Sequence, residues 1–216
     1  MLKTARLGYD GKGQIVIRNA DHLDQIWQEL GQVEAVLETF IPLKSEISVI
    51  VARDQHGETR AYPPGENHHD NQILATTVVP ARIDQGLQDQ AIEQAITLAK
   101  ALDYIGVLGV EFFIAEDNQL YFNEMAPRPH NSGHWTQDAA ITSQFEQQIR
   151  AVTGLPLGPV TQICPVIMEN LLGETPDRVA KATRHEDGKL HLYGKAEARE
   201  GRKMGHINWL HQTTLV

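Results

Sequence analysis

The apolar run at residues 105–115 constrains the fold more than any other stretch, because it carries a carboxylate, Glu111, near its centre. Hydrophobic side chains in so nearly continuous a run predict a strand that is buried in a sheet. An unpaired charge is costly to bury, so Glu111 needs a partner. A second apolar segment, residues 120–125, follows a polar turn and predicts an antiparallel hairpin with the first.

The register of this hairpin decides what Glu111 faces. A turn centred midway along residues 116–119 pairs Glu111 with Glu124, and the same register pairs Phe113 with Phe122. Opposed side chains have Cβ atoms roughly 4.5 to 5.5 Å apart, and two carboxylates there repel unless a proton or cation intervenes. Oxygen ligands favour Mg²⁺, which leaves its other positions to water and phosphate oxygens. Alternatively, a one-residue slip turns one carboxylate towards solvent.

The remaining hydrophobic pattern predicts an α+β chain with mostly antiparallel sheets and flanking helices. Residues 85–103 repeat apolar side chains every three or four positions, which is typical of an amphipathic helix. Proline and glycine at residues 156–159 indicate a boundary. We therefore expect a larger domain over residues 1–155 and a small β-rich domain over residues 156–216.

Composition excludes several classes of protein. The 19 Lys and Arg against 28 Asp and Glu give a formal net charge of −9, which argues against a general nucleic-acid or anionic-membrane surface. The single cysteine, Cys164, excludes an internal disulfide framework, and its apolar surroundings favour a packing role. The sequence has no apolar run of 18 residues and no apolar block at its N-terminus, so we expect no membrane partner and a cytoplasmic location.

A glycine-rich loop at residues 8–13 lies between two short extended segments. It has neither the Walker A spacing nor the strand-to-helix position of a Rossmann fingerprint. Its backbone N–H groups, with Lys12 and Lys3, could cover the anionic tail of a nucleotide. Alternatively, the glycines only permit a tight hairpin turn.

Three polar segments are further candidates for binding. Residues 128–134 hold more hydrogen-bond donors than a loop requires, which favours a site. Residues 195–203 concentrate positive charge in an acidic chain, which suits a substrate phosphate, although a solvated turn fits almost as well. His68 and His69 beside Asp70 suggest a metal site, but adjacent strand residues point to opposite faces, so a polar loop is the better interpretation.

Three motifs taken together resemble one family. They are Leu-Lys-Thr followed by Gly-Tyr-Asp-Gly-Lys-Gly-Gln at residues 2–14, Gly-Val-Glu-Phe-Phe at 109–113, and Asn-Glu-Met-Ala-Pro-Arg-Pro-His-Asn-Ser-Gly-His-Trp-Thr at 123–136. Sequences of this kind resemble the 5-(carboxyamino)imidazole ribonucleotide synthases, which are ATP-grasp ligases of purine biosynthesis. The resemblance covers essentially the whole chain and implies the C-terminal portion of an ATP-grasp fold. It further implies that ATP phosphorylates bicarbonate to carboxyphosphate, which then carboxylates 5-aminoimidazole ribonucleotide.

The resemblance implies roles for residues throughout the chain, with ATP and Mg²⁺ as cofactors. Glu111 and Glu124 are the implied metal ligands. The implied nucleotide-binding residues are Lys3, Gly8, Tyr9, Asp10, Gly11, Lys12, Gly13, Gln14, Glu38, Thr39, Phe40, Ile41, Glu46, His69, Asn123 and Glu124. The implied catalytic residues are Arg128, His130 and Asn131. The implied binding residues for bicarbonate and the ribonucleotide are Arg128, His130, Asn131, Ser132, Lys195, Arg202 and Lys203.

The chain departs from the family at its start. Family members have a further N-terminal domain before Leu-Lys-Thr, where this sequence has Met1. The preceding part is expected to supply more ATP ligands, part of the ribonucleotide pocket and most contacts of the family's homodimer, which puts the activity of this chain alone in question. Two alternatives are a non-catalytic nucleotide-binding remnant and a related ATP-grasp enzyme, such as the formate-using glycinamide ribonucleotide transformylase, which should match residues 123–136 less well.

Overall fold

The computed structural model describes residues 1–6, 13–19 and 22–210. The chain divides into two compact units. The first comprises Met1–Pro42 with His69–Ile73, and the second comprises Leu43–His68 with Leu74–Val216. The domain boundary that the sequence suggests at residue 155 stays a prediction.

The first unit contains a small antiparallel sheet in the strand order β2–β1–β3. Its elements are β1 at Leu2–Thr4, β2 at Gln14–Ile15, α1 at Leu23–Glu29 and β3 at Ala35–Leu37. Gly13 enters β2 with a φ of +74°, and a Cβ there would lie 2.6 Å from Thr4 Oγ1. A larger residue at this position would therefore be strained and would clash with β1.

The larger sheet has the strand order β11–β12–β10–β7–β6–β4–β8–β9, with β5 paired to β4. Its strands are β4 at Leu43–Arg53, β5 at Thr59–Ala61, β6 at Gly65–Asp70, β7 at Ile73–Val79, β8 at Gly106–Ala115, β9 at Leu120–Ala126, β10 at Val166–Leu172, β11 at Gly188–Leu192 and β12 at Lys203–Leu210. The pairs β4–β8, β8–β9, β10–β12 and β11–β12 are antiparallel. The α+β prediction with mostly antiparallel sheets is confirmed.

Helices cover both faces of the central strands β4 and β8. The helices of the second unit are α2 at Gln85–Ala101, α3 at Thr136–Ala139, α4 at Gln144–Thr153 and α5 at Pro176–Arg184, and of these α2 and α4 pack against β4 and β8. On one face, small side chains of α2 such as Ala91 and Ala95 pack with Leu108 and Val110. On the other face, Trp135 and neighbouring residues pack with Val107 and Ile50. Burial on both faces explains the nearly unbroken apolar run, since each large side chain stabilises the fold by about 1.5 to 3 kcal/mol when fully buried.

The C-terminal strands β10, β11 and β12 form a smaller core with helix α5. Leu171, Ala182, Ile207 and Trp209 are its buried members. The Trp209 indole donates a hydrogen bond to Glu169 Oε2 at 2.9 Å, so the polar end of this large side chain is satisfied. Across the ranges that the structure describes, no helix combines the length and apolarity needed to cross a membrane.

Candidate active site

The hairpin of β8 and β9 places Glu111 opposite Glu124, as the sequence predicts. The predicted pairing of Phe113 with Phe122 is wrong, because Phe122 pairs with Phe112 instead. The register near the turn is therefore offset by one residue from the register at the two carboxylates. The correct pairing of the two carboxylates and the wrong pairing of Phe113 have the same structural cause.

A β-bulge in β9 reconciles the two registers. The turn spans only residues 116–118, one fewer than the predicted turn, so pairs next to it are offset. The register then shifts between Glu111 and Phe112, and Asn123 is the additional residue on β9. The bulge restores the predicted pairing of Glu111 with Glu124. Bulges re-aim side chains beside functional sites, and Asn123 is itself a predicted nucleotide-binding residue.

The two carboxylates and an imidazole converge at this end of the hairpin. Glu111, Glu124 and His130 each offer a ligand atom within 4.8 Å of the other two. His130 Nε2 lies 3.6 Å from Glu111 Oε1, and both side chains are nearly buried, with 11% and 12% exposed. Glu124 is exposed. Two facing carboxylates repel unless a cation or a proton intervenes, so this donor set fits a divalent metal ion.

The main chain of His130 is fixed by two neighbours. A Cβ on Gly109 of β8 would lie 2.6 Å from the Cβ of His130, so only glycine allows this close approach. The buried Gln144 side chain accepts from the His130 N–H at 2.9 Å and donates to the His130 carbonyl at 2.7 Å. A second contact orients the ring, since Nδ1 lies 2.8 Å from Ser132 Oγ. Together these contacts direct Nε2 towards Glu111.

Gln144 and Gly109 are positioning residues that the sequence analysis missed. The sequence does contain a signal for the position of Gln144. Ser143 caps helix α4, because its hydroxyl accepts from the Glu146 N–H at 3.1 Å. That Ser-x-x-Glu pattern marks a helix start and places Gln144 in its first turn. The sequence could not show that this side chain reaches back to His130.

The predicted catalytic residues Arg128 and Asn131 and the predicted substrate-binding residue Ser132 are neighbours of His130 along the chain. Arg128 is exposed and donates from Nη1 to the Pro129 carbonyl at 3.0 Å. Ser132 is buried. Within the described residues, the Asn131 amide nitrogen and oxygen are buried and have no hydrogen-bond partner.

Strand β4 adds polar groups next to the hairpin. Ser48 pairs with Glu111, and the predicted nucleotide-binding residue Glu46 pairs with Phe113. Opposed residues share a face of the sheet. Asn67 Oδ1 accepts from Thr77 Oγ1 at 2.9 Å and from Ser48 Oγ at 3.4 Å. This buried polar group was not predicted, because its members lie on three different strands, β4, β6 and β7.

The first unit carries the remaining predicted nucleotide-binding residues. Lys3 Nζ and Glu38 Oε2 form an ion pair at 2.7 Å, which brings two of these residues together. Gln14 Nε2 donates to Gln72 Oε1 at 2.6 Å. Thr39 and Phe40 are exposed, whereas Ile41 and His69 are half-buried. The predicted residues Gly8, Tyr9, Asp10, Gly11 and Lys12 lie outside the described residues.

The predicted phosphate-binding cations gather at the β11–β12 connection. Lys195 Nζ donates to the Lys203 carbonyl and lies 5.5 Å from the centre of the Tyr193 ring. Arg202 donates from Nη1 to the Glu197 carbonyl at 3.0 Å. Lys195 and Arg202 are exposed and Lys203 is half-buried.

His134 connects these cations with the segment that holds His130. Burial, together with repulsion from His191, Lys203 and Arg128, lowers the pKa of His134 from 6.5 to about 4. One imidazole therefore experiences the charge of both Arg128 and Lys203, which belong to the two groups of predicted substrate-binding residues. A member of each group therefore lies close enough to His134 to influence its charge.

Two family models match the chain. The ATP-grasp domain model matches residues 1–145. The model of the phosphoribosylaminoimidazole carboxylase C-terminal domain matches residues 166–215.

Curated relatives and solved structures match over nearly all of the chain. The N5-carboxyaminoimidazole ribonucleotide synthases of Bacillus subtilis and Brucella melitensis are 47% and 46% identical over 98% and 100% of this chain, and over 56% and 60% of their own length. A crystal structure of an N5-carboxyaminoimidazole ribonucleotide synthetase with ADP gives a TM-score of 0.92 at 48% identity, over 98% of this chain and 56% of that one. The Aspergillus clavatus synthase in complex with ADP and 5-aminoimidazole ribonucleotide gives 0.88 at 32% identity, over 99% and 57%. The chain thus spans little more than half the length of these relatives.

Proposed function

The chain belongs to the ATP-grasp family, and from that premise we propose that it is the carboxylating part of an N5-carboxyaminoimidazole ribonucleotide synthase. Its substrates would be ATP, bicarbonate and 5-aminoimidazole ribonucleotide. The observation that carries the proposal is the convergence of Glu111, Glu124 and His130. The segment that supplies Glu124 and His130 is also the one whose sequence resembles this family most specifically.

The proposed reaction has two steps. A bicarbonate oxygen attacks the γ-phosphorus of ATP, so that an O–P bond forms, the bond to the β-phosphate oxygen breaks and ADP leaves. The exocyclic amine of the ribonucleotide then forms a C–N bond to the carboxyl carbon of carboxyphosphate, directly or through released CO₂. Inorganic phosphate departs and the amine loses a proton.

Charge and orientation are the main contributions of the protein to such a transfer. The Arg128 guanidinium, which lies two residues along the chain from His130 and donates to the Pro129 carbonyl, would stabilise the negative charge of bicarbonate and carboxyphosphate. The Asn131 amide, without a partner among the described residues, would orient the carboxyl group. His130 lies between Ser132 and Glu111, where it would bind the reacting carboxyl group or accept a proton from the amine.

Glu111 and Glu124 are the residues that would hold Mg²⁺. When bound, Mg²⁺ would neutralise charge on the nucleotide phosphates. The arrangement agrees with the preference of Mg²⁺ for one or two protein carboxylates, with the remaining positions left to phosphate and water. The facing carboxylates otherwise repel each other, so metal binding relieves a conflict that is built into the hairpin.

The ribonucleotide phosphate is assigned to Lys195, Arg202 and Lys203. The cationic connection that holds them lies in electrostatic range of His134, four residues after His130. A ribonucleotide has its phosphate and its amine at opposite ends, so a separate cationic group near the reacting segment suits it. As in the family, we infer a homodimer for the complete protein.

The test is the release of ADP by the purified chain. ADP formation is measured with ATP, Mg²⁺ and bicarbonate, with and without 5-aminoimidazole ribonucleotide. Stimulation by the ribonucleotide is the expected result. Stimulation by formate with glycinamide ribonucleotide instead would contradict the proposal, as would nucleotide binding without any turnover after the N-terminal portion found in the relatives is supplied.

A further inference from the structure

Four aromatic side chains form a hydrogen-bonded group that the proposed chemistry does not use. We define the histidine–tyrosine cluster as His134, His191, Tyr193 and His206. The imidazoles stack, with ring centres 4.7 Å apart for His134 and His206 and 4.5 Å apart for His191 and His206. The Tyr193 hydroxyl lies 3.0 Å from Nδ1 of His134 and 2.9 Å from Nδ1 of His206. One hydroxyl therefore bridges two imidazoles.

The bridge works only with defined protonation states. A hydroxyl has one proton, so Tyr193 donates to one Nδ1 and accepts an N–H from the other. Burial lowers the pKa of His206 to about 3, with added repulsion from His134 and His191. The pKa of Tyr193 rises to about 12 through burial. At neutral pH the bridge is thus uncharged.

The histidine–tyrosine cluster joins segments that are distant in sequence. His134 ends the segment that carries Arg128 and His130, whereas Tyr193 and His206 flank the connection that carries residues 195–203. A second contact supports the junction, because His191 Nε2 lies 2.7 Å from Asp138 Oδ2. Asn208 Nδ2 donates to the same oxygen at 2.6 Å. The two groups of predicted substrate-binding residues are therefore held through one cluster.

We propose that Tyr193 is a positioning residue that sets the separation between residues 128–132 and the cations at 195–203. This inference rests on the proposed function and deepens it, since it concerns how the ribonucleotide is held at both ends. A substrate with a phosphate at one end and the reacting amine at the other gains from fixed anchor points. Tyr193 acts through His134 and His206 and need not touch the substrate.

Tyr193→Phe tests the inference, because it removes the bridging hydroxyl and keeps the ring. We expect the dissociation constant of 5-aminoimidazole ribonucleotide to rise about tenfold, since the ring nitrogens of half-buried His134 and buried His206 lose their common partner. The dissociation constant of ADP with Mg²⁺ should stay within about twofold. Tyr104→Phe is the matched control, because its hydroxyl donates only to the Val107 carbonyl, at 3.3 Å, and it should change neither constant.

His134→Phe removes the hydrogen bond between Tyr193 and His134 by deleting its imidazole partner, and it retains a flat ring for stacking. This variant provides the test if Tyr193→Phe does not fold. The double variant should bind the ribonucleotide about as weakly as either single variant. Additive losses, or equal weakening of ADP and ribonucleotide binding, would overturn the inference and leave the proposed function intact. A wild-type chain that bound no ribonucleotide, even with the N-terminal portion supplied, would overturn both.

Discussion

The end of the β8–β9 hairpin, where Glu111 and Glu124 lie beside His130, differs from the histidine–tyrosine cluster in how its polar groups are satisfied. We call this first region the hairpin end. At the hairpin end, Glu111 and Glu124 face each other as like charges beside His130. In the cluster, the Tyr193 hydroxyl bridges two imidazoles that are held neutral. An arrangement in electrostatic conflict calls for a ligand, whereas one that satisfies itself supports other residues. We therefore propose ligand binding for the hairpin end and positioning for the cluster.

The largest expected effect is a loss of folding stability in acid, caused by the histidine–tyrosine cluster. The folded-state pKa of His134 is about 4 and that of His206 about 3, both below the ordinary value of 6.5. The unfolded chain therefore binds more protons, and stability is lost as the pH falls from about 6.5 to about 4. For His134 the loss is on the order of 3 kcal/mol.

Urea denaturation at pH 7, 6, 5 and 4.5 measures this loss, and His134→Phe should reduce it. The groups around the two imidazoles are His191, Tyr193, Lys203 and Arg128, with Asp138 bound to His191. An equal free energy of unfolding at pH 7 and pH 5 would show that the cluster is not held in the neutral state.

A second prediction concerns Gly109 at the hairpin end. Gly109→Val places side-chain atoms where the Cβ of His130 lies, so we expect a loss of about 3 kcal/mol in stability and displacement of the imidazole. Thermal unfolding measures the first effect and the affinity for Mn²⁺, as a probe of the metal site, the second. Gly86→Val provides a control, since Gly86 has open space around its Cβ position. Unchanged stability and Mn²⁺ affinity in Gly109→Val would refute the packing argument.

A third prediction concerns Gln144, which holds the His130 main chain. Gln144→Leu leaves a buried N–H and a buried carbonyl without their partner, and we expect a loss of about 2 kcal/mol. Because the effect reaches His130, the affinity for Mn²⁺ should also fall. Chemical denaturation and metal titration are the measurements. Loss of stability with full metal affinity would confine Gln144 to a packing role.

The smallest effect is expected from the ion pair between Arg150 and Glu146 on helix α4, at 2.8 Å. The Glu146 side chain is 50% exposed and the Arg150 side chain 34% exposed, so Arg150→Ala should cost only about 0.5 kcal/mol and leave metal affinity unchanged. Thermal unfolding at low and high salt checks this. A loss comparable with that of Gln144→Leu would mean that helix α4 as a whole, rather than one side chain, positions His130.

Local patterns predicted much of the hairpin end from sequence. The buried charge in an apolar run indicated a partner, and hairpin arithmetic identified Glu124. The shorter turn and the bulge at Asn123 were not predictable, because no residue type marks them, and the shorter turn made the predicted pairing of Phe113 wrong. The α+β class with mostly antiparallel sheets, the ATP-grasp fold and the family resemblance are confirmed.

The histidine–tyrosine cluster was not predicted, and the reason is physical. His134 and Tyr193 are 59 positions apart, and their contact depends on strands β11 and β12 and the helices around His134. Hydrophobic patterns and secondary-structure propensities depend on residues that are close in sequence, whereas the contact between His134 and Tyr193 is a tertiary contact. Gln144 was missed for the same reason, although its position at a helix start was visible.

The pairing of Glu111 with Glu124 as a cation site is the central claim, and calorimetric titration with ADP in the presence and absence of Mg²⁺ tests it most directly. We predict that Mg²⁺ strengthens ADP binding in the wild-type chain and that Glu111→Gln and Glu124→Gln each abolish this dependence. Glu116→Gln, on the exposed turn of the same hairpin, should retain it. If both Glu111→Gln and Glu124→Gln bound ADP with unchanged affinity and unchanged dependence on Mg²⁺, the claim would be contradicted.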